Sequence, residues 1–192
     1  YIFSNQLIKF LALPVLLLLG YGLVSGLYFA PPDYQQGDGF RIIYVHVPCA
    51  IMSLSIYLFM AFCASIAFIW QIKIYDYLIA GCANVGALMT FLALLTGSIW
   101  GKPMWGTFWV WDARLTSELV QLFLYLAIIS LRNSLTQTPQ QASLLRIFII
   151  AGFINIPIIH FSVDWWNTLH QGETLKIFGP SQIAPQMLHP LV

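Results

Sequence analysis

Charged side chains are scarce in this sequence. Asp, Glu, Lys and Arg make up 8% of the 192 residues, whereas 59% are hydrophobic and the formal net charge is +1. A soluble domain carries roughly 25% charged residues, so this chain has too few polar groups for a surface in contact with water. No basic or acidic run indicates nucleic acid as a partner. The composition excludes an ordinary soluble domain and favours a protein of the lipid bilayer.

The sequence also lacks the short motifs of several redox and nucleotide-binding classes. Its cysteines, Cys49, Cys63 and Cys82, form neither CxxC nor CxxCH, and we interpret them as small buried helix residues. Neither GxGxxG nor GxxxxGK followed by Ser or Thr occurs. Any ATP hydrolysis linked to this protein must therefore be carried out by another chain.

Long apolar runs are what the sequence has instead. Runs of about 20 residues, the length of a membrane-spanning helix, occupy five stretches: 10–29, 47–70, 77–100, 115–131 and 144–163. The first run is too long for the apolar core of a cleaved signal peptide, so we expect it to be retained. A sixth run begins at 187–192. The sequence predicts an all-α, polytopic transmembrane bundle formed by a single domain over residues 1–192.

The connections between the runs indicate the orientation. Those near 71–76 and 132–143 are short and poor in acids, whereas those at 30–46, 101–114 and 164–186 are longer and richer in Pro, Gly and Trp. Lys and Arg near the run ends number four on each side, so the positive-inside rule alone does not decide. The short loops favour the cytoplasm, which places the N-terminus inside and the tryptophan-rich segment outside.

The segment KPMWGTFWVWDARLT, residues 102–116, concentrates aromatic side chains between two apolar runs. A helix over 104–114 would align one stripe, made of Trp105, Phe108, Trp109 and Asp112. Gly106 and Thr107 weaken a long helix, so we expect a short amphipathic segment lying on the membrane surface. Because Trp and Tyr gather at bilayer interfaces, an aromatic belt is one interpretation. A flat platform for a large planar amphipathic ligand is the other.

All four histidines lie in or near the outward-facing segments: His46, His160, His170 and His189. His46 and His170 bracket the tryptophan-rich segment, and imidazole is a common axial ligand of heme iron. A lone histidine is more often a hydrogen-bonded structural residue. The residues alone leave both interpretations open.

Three cations stand on the same side of the predicted bundle, namely Arg41, Lys102 and Arg114. Such side chains bind carboxylates, including the propionates of a porphyrin. Arg114 has an alternative partner in Glu118, one helical turn later. Asp112 likewise has an alternative role, which is to orient a histidine or a tryptophan N–H.

The string WGTFWVWDARLTSEL resembles the tryptophan-rich WWD signature of membrane proteins that handle heme in cytochrome c biogenesis. Three further strings, APPDYQQG, RIIYVHVP and NIPIIHFSVDWWNTLHQG, are similar to the cytochrome c maturation protein C family, also called heme exporter protein C. The resemblance covers about residues 30–172, and a motif of this length with flanking histidine segments is highly specific. Members are expected to have six spans, one more than the complete runs found here.

The resemblance implies a heme b site at the outer face of the membrane, centred on the WWD segment at about 100–116. His46 and His170 match the positions of the two axial iron ligands, whereas His160 and His189 do not. A platform for the heme ring is implied for Trp100, Trp105, Trp109, Trp111 and Asp112. Arg41 and Arg114 are the candidates for contacts with the propionates.

The resemblance also implies partners and a location. Members deliver heme to a periplasmic heme chaperone, cytochrome c maturation protein E, which captures heme covalently through its own histidine. They work beside an ABC-transporter pair, cytochrome c maturation proteins A and B, and a small single-span protein, cytochrome c maturation protein D. The implied setting is the bacterial inner membrane, with membrane lipid around the chain. The implied role is heme transport and delivery, not enzymatic catalysis.

Two other classes of membrane protein compete with this interpretation. A b-type heme electron-transfer subunit usually stacks histidine pairs at membrane depth, but the runs contain no histidine below their outer third. A substrate transporter with a midplane site is expected to have broken helices and ionisable residues inside the membrane, and the first three runs are almost free of charge. Heme delivery is therefore the leading hypothesis.

Overall fold

The structure is a computed structural model that describes residues 2–135, 138–166, 168, 170 and 184–191. Seven α-helices occur in these ranges: α1 (Ile2–Val24), α2 (Ile43–Trp70), α3 (Ile74–Trp105), α4 (Ala113–Leu135), α5 (Pro139–Gly152), α6 (Asn155–Trp165) and α7 (Pro185–Leu188). The described ranges contain no strand beyond an isolated bridge between Asp33 and Gly37. The predicted all-α class is confirmed.

Five helical segments are long and apolar enough to cross a bilayer: Gln6–Phe29, Asp38–Trp70, Ile74–Trp105, Ala113–Ser134 and Pro139–Trp165. Each contains one of the five predicted runs, so the predicted spans are confirmed and most are longer than expected. The last segment combines α5 and α6, which are separated by a turn at residues 153–154. The chain is a multi-pass membrane protein.

The chain divides into two compact units. The first comprises Tyr1–Val45 and Glu173–Val192. In it, α1 is followed by a π-helical turn at Ser25–Phe29, and the ring of Tyr44 packs where a side chain on Gly26 would lie. The Tyr44 hydroxyl donates a hydrogen bond to the carbonyl of Met187 at 2.9 Å. The apolar window of α1 has no buried residues, as expected for a helix surrounded by lipid or other helices.

The second unit, His46–Gly172, has α4 at its centre, packed against α3, α5 and α6. Its largest fully buried side chains are tyrosines and aliphatic residues: Tyr57, Met60, Tyr125, Ile128, Ile149 and Ile159. The ring of Tyr125 occupies the space that a Cβ at Gly86 would need, and the Tyr57 hydroxyl does the same at Gly152. Small residues thus let bulky rings fill the space between the helices.

A partly buried ion pair joins α5 to the start of α3. Arg146 donates from Nε to Asp76 Oδ1 at 2.9 Å and from Nη2 to Asp76 Oδ2 at 2.6 Å. Its Nη1 donates to Gln71 Oε1 at 2.8 Å. A bidentate guanidinium–carboxylate pair fixes orientation as well as distance, so this contact sets how α5 meets the α2–α3 connection.

A helix over 104–114 does not form. Helix α3 continues through Trp105 and ends at Gly106, which adopts a left-handed conformation with φ 78°. The Gly106 N–H donates to the Lys102 carbonyl at 3.0 Å, which closes the last turn of the helix. Residues 106–112 are irregular, and α4 begins at Ala113. The helical stripe therefore does not form, because glycine stops the helix two residues before Phe108.

Candidate functional site

Asp112 connects the start of α4 to His170. Its Oδ1 accepts a hydrogen bond from the backbone N–H of Leu115 at 2.8 Å, which is the contact of an N-cap residue. Its Oδ2 lies 3.0 Å from Nδ1 of His170. The sequence left two roles open for this carboxylate, to orient a histidine or to orient a tryptophan N–H. The structure shows the contact with the histidine. One carboxylate therefore caps a helix and holds an imidazole.

His170 lies against the end of α3. Its ring centroid is 4.7 Å from that of Trp105, in an edge arrangement of 60°, and its backbone N–H donates to Thr168 Oγ1 at 2.9 Å. Burial lowers the pKa of His170 below its usual value. The hydrogen bond and charge of Asp112 oppose this shift, and the positive charge of Arg114 adds to it. The pKa shift favours the neutral imidazole, which is the form that binds metal ions.

His46 lies on the first turn of α2 and packs against the C-terminal half of α3. Its Nδ1 is 3.0 Å from the carbonyl oxygen of Ala93 and 3.1 Å from Thr96 Oγ1. Its ring meets that of Trp100 edge-on at 5.8 Å. A Cβ at Gly97 would come within 3.0 Å of His46 Cε1, so a side chain at this position would push the imidazole out of its present place.

The partners of the two imidazoles determine their tautomers. A carbonyl oxygen only accepts hydrogen bonds, so the proton of His46 resides on Nδ1, pointing at Ala93. The carboxylate of Asp112 likewise receives the Nδ1 proton of His170. Within the described part of the chain, Nε2 of neither ring makes a hydrogen bond. Both Nε2 atoms therefore carry a free lone pair, and the Nδ1 contact is the kind that orients a metal-binding histidine.

The four tryptophans of the predicted platform fall into two pairs. Trp100 and Trp105 belong to the end of α3, and each contacts one of the two histidines. Trp109 and Trp111 lie in the irregular segment and meet each other edge-on at 5.4 Å. Trp111 is 78% exposed. Nε1 of Trp109 is buried and has no hydrogen-bond partner among the described residues. The second pair thus offers apolar ring surface and one unused donor.

The three predicted cations differ in what they contact. Lys102 Nζ donates to the Gly106 carbonyl at 2.9 Å and lies 5.2 Å from the centre of the Phe108 ring, so it stabilises the irregular segment itself. Arg41 belongs to the first unit, where it donates to Asp38 Oδ1 at 2.9 Å and to the Leu27 carbonyl at 2.8 Å. Neither observation tests a contact with a bound carboxylate.

The alternative ion pair between Arg114 and Glu118 is wrong. Glu118 is buried and lies 3.0 Å from Ser53 Oγ on α2. Arg114 is half-buried and makes no ion pair with any side chain in the described ranges. Its positive charge contributes to the lowered pKa of His170.

Sequence reasoning missed the residues of α3 that hold His46, which are Ala93, Thr96 and Gly97. A signal for them exists, because Ala93, Gly97 and Gly101 are small residues at four-residue spacing. Such spacing marks a helix face that another helix approaches closely. The two remaining histidines lie elsewhere, His160 beside the ring of Phe161 on α6 and His189 beside Tyr21 in the first unit.

No group of three or more His, Cys, Asp or Glu side chains that could hold a bare metal ion occurs among the residues that the structure describes. His46 and His170 each leave one ring nitrogen available for a metal ion. Two nitrogen ligands suit an iron whose other four ligands come from a porphyrin. The donor set fits heme better than a free ion.

Comparisons with known proteins identify the family. The whole chain, residues 1–192, matches the family described as "Heme exporter protein C". The "Heme exporter protein C" of Haemophilus influenzae is 50% identical over 192 residues, covering 100% of this chain and 78% of the relative. Its namesake in Escherichia coli K12 is 50% identical over 184 residues, covering 96% and 74%. A "Putative cytochrome c biosynthesis ccmC-like mitochondrial protein" of Marchantia polymorpha is 48% identical over 165 residues, covering 86% and 69%. The chain belongs to the heme exporter protein C family.

Proposed function

We propose that this chain binds heme b at the outer face of the membrane and delivers it to a periplasmic heme chaperone during the biogenesis of c-type cytochromes. The observation that carries the proposal is the pair of imidazoles at the end of α3. Each commits Nδ1 to an acceptor and leaves Nε2 free. The names of the relatives, which refer to heme export and cytochrome c biosynthesis, support the same function.

In this proposal His46 and His170 would hold the heme iron through their Nε2 atoms. Trp100 and Trp105 hold the imidazoles in place by their edge contacts, while Trp109 and Trp111 cover apolar ring surface. Trp111, which is 78% exposed, loses contact with water in the process.

Two further requirements of the proposed site are a positive charge for the heme propionates and an iron ligand that can be released. Arg114, which lacks an ion-pair partner in the described ranges, is the first candidate for a propionate, and Arg41 is the second. Delivery requires that one histidine release the iron while the chaperone takes the heme. Such a site would hold heme by two nitrogen ligands and ring contacts. The proposed role of the chain is heme transport and delivery, not enzymatic catalysis, and presenting the heme to the chaperone would assist its covalent attachment there.

The proposed setting is the bacterial inner membrane, with the N-terminus in the cytoplasm and the site in the periplasm. The proposed partners are the chaperone, cytochrome c maturation protein E, the ABC-transporter pair, cytochrome c maturation proteins A and B, and the small single-span protein, cytochrome c maturation protein D. The sequence contains no nucleotide-binding motif, which is consistent with ATP hydrolysis by a partner. The short acid-poor loops support the orientation.

Heme transfer in a purified system tests the proposal. The heme-loaded protein in detergent is mixed with the soluble domain of the apo-chaperone, and heme covalently attached to the chaperone is quantified on a denaturing gel. We expect transfer from the wild-type protein and from a His160→Ala control, whose imidazole lies on α6. We expect loss of heme from His46→Ala and His170→Ala. Normal heme content and transfer in both variants would refute the proposal.

A further inference from the structure

One carboxyl group inside the membrane-spanning bundle has no role in the proposed heme site. Glu118 lies on α4 and is only 9% exposed. Its Oε1 is 3.0 Å from Oγ of Ser53 on α2. Ionisable side chains inside a membrane span are costly and usually functional. The groups around this carboxyl therefore determine whether it is a neutral acid or an ionised carboxylate.

A chain of hydroxyl groups leads from Glu118 to a backbone carbonyl. Ser53 Oγ lies 2.7 Å from Thr90 Oγ1, and Thr90 Oγ1 lies 2.8 Å from the carbonyl oxygen of Gly86. Each hydroxyl has one proton, and a carbonyl oxygen only accepts.

Two orders of donors satisfy both hydroxyls. In the first, Thr90 donates to Gly86, Ser53 donates to Thr90, and Glu118 donates to Ser53 as a neutral acid. In the second, Thr90 donates to Ser53 and Ser53 donates to an ionised Glu118. A buried carboxylate without a cation is costly, and Glu118 makes no ion pair with any side chain in the described ranges, Arg114 on the preceding turn included, which favours the first order.

The same chain ties α4 to the helix that carries His46. Ser53 follows His46 by two turns of α2, about 10.5 Å along the axis, so the two side chains share a helix face. Thr90 precedes Ala93, the acceptor for His46, by about one turn of α3. A second hydrogen bond also joins α4 to α2 at Ser53: the hydroxyl of Tyr125 donates to the Ser53 carbonyl at 2.7 Å.

We infer that Glu118 is a proton-binding site within the membrane, where a neutral carboxylic acid donates to Ser53 and thereby positions the helix that presents His46. Glu118 is a positioning residue in this inference, since it contacts neither imidazole. The effect of Glu118 on heme binding rests on the proposed function. The protonation of Glu118 does not depend on it.

Infrared difference spectroscopy at neutral pH tests the protonation without reference to heme. The spectrum of the Glu118→Gln protein is subtracted from that of the wild-type protein in detergent. We expect the difference to contain one C=O stretching band of a protonated carboxyl group, shifted in heavy water. Carboxylate bands in its place would overturn the inference. A second variant, Thr90→Val, removes the acceptor for the Ser53 proton, and we expect it to shift the same carboxyl band.

Heme content tests the positioning role. The glutamine side chain also has a donor for Ser53, so Glu118→Gln should retain heme within about twofold of wild type. Glu118→Ala should lose about tenfold or more in heme affinity, the usual effect of losing an outer partner of a metal ligand. A glutamine variant as poor as the alanine variant would show that the negative charge is needed and would overturn the inference.

A double-mutant cycle with His46→Ala separates positioning from general damage. The cycle is measured as residual heme affinity by titration with added heme, because the His46→Ala protein is expected to lose heme during purification. If Glu118 acts through His46, Glu118→Ala lowers the residual heme affinity of the His46→Ala protein no further. An equal, additive loss in that background would overturn the positioning role. If His46→Ala alone leaves heme binding intact, the proposed ligand fails instead, and the infrared result still decides the protonation of Glu118.

Discussion

Asp112→Asn separates the two contacts that one carboxylate makes. Oδ1 caps α4 through the Leu115 N–H at 2.8 Å, and Oδ2 holds Nδ1 of His170 at 3.0 Å. Asparagine is as good an N-cap as aspartate, so its carbonyl oxygen retains the Leu115 contact. The amide nitrogen then faces His170 and donates to Nδ1, which moves the imidazole proton to Nε2. The variant therefore preserves the helix and blocks the iron ligand.

The expected magnitudes differ enough to be measured separately. Losing the charge at the helix N-terminus costs about 0.3–1 kcal/mol of folding stability. Losing the outer partner of a metal-binding histidine lowers affinity by about 10–100-fold, which corresponds to about 1.4–2.8 kcal/mol. Asp112→Ala loses the cap as well, at a further cost of about 1 kcal/mol in stability.

Heme titration and thermal unfolding of the heme-free protein, both in the same detergent, provide the assay. We expect Asp112→Asn to bind heme as weakly as Asp112→Ala while unfolding at nearly the wild-type temperature. The reasoning is refuted if the asparagine variant binds heme as tightly as wild type. It is also refuted if the two variants unfold at the same lowered temperature.

Two further predictions concern the packing around the site and the bundle. Gly97→Ala places a Cβ 3.0 Å from His46 Cε1, so heme affinity should fall about tenfold or more. Gly81→Ala on the same helix, where a Cβ meets nothing within 4 Å, should leave it unchanged, and equal effects of the two would contradict the close contact. Arg146→Met leaves Asp76 without its partner and should cost about 1.5–3 kcal/mol, the range for hydrogen bonds to a charged group, because the Asp76 side chain is 37% exposed and stays in contact with solvent. Thermal unfolding in detergent measures this cost. Adding Asp76→Asn to the Arg146→Met protein should recover part of the lost stability. An unchanged unfolding temperature in Arg146→Met would contradict the role of the pair.

The membrane spans could be predicted because their cause is local. Every long apolar run contains too few charges to remain in water, and hydrophobicity alone identifies a helix that crosses the bilayer. The ends of the helices were harder to predict. The amphipathic pattern at 104–114 extended the expected segment past Gly106, whereas the left-handed conformation of that residue ends α3. Periodicity cannot indicate where a glycine adopts a positive φ.

The candidate site could be predicted only in part, for a different reason. The types and order of its residues are visible in the sequence, and the family resemblance selected His46 and His170 from four histidines. The contacts that define the tautomers join residues far apart in the chain, such as Asp112 with His170 and His46 with Ala93. No local pattern specifies such pairs. The same limitation made Arg114 the expected partner of Glu118, although Glu118 contacts Ser53 on another helix.

The coordination state of the heme iron tests the central claim most directly. Resonance Raman spectra of the heme-loaded protein distinguish iron with two imidazole ligands from iron with one. We predict a six-coordinate, low-spin spectrum for the wild-type protein. His46→Gly and His170→Gly should each lose it and regain it when free imidazole is added. A six-coordinate, low-spin spectrum in either variant without added imidazole would contradict the assignment of His46 and His170 as the iron ligands.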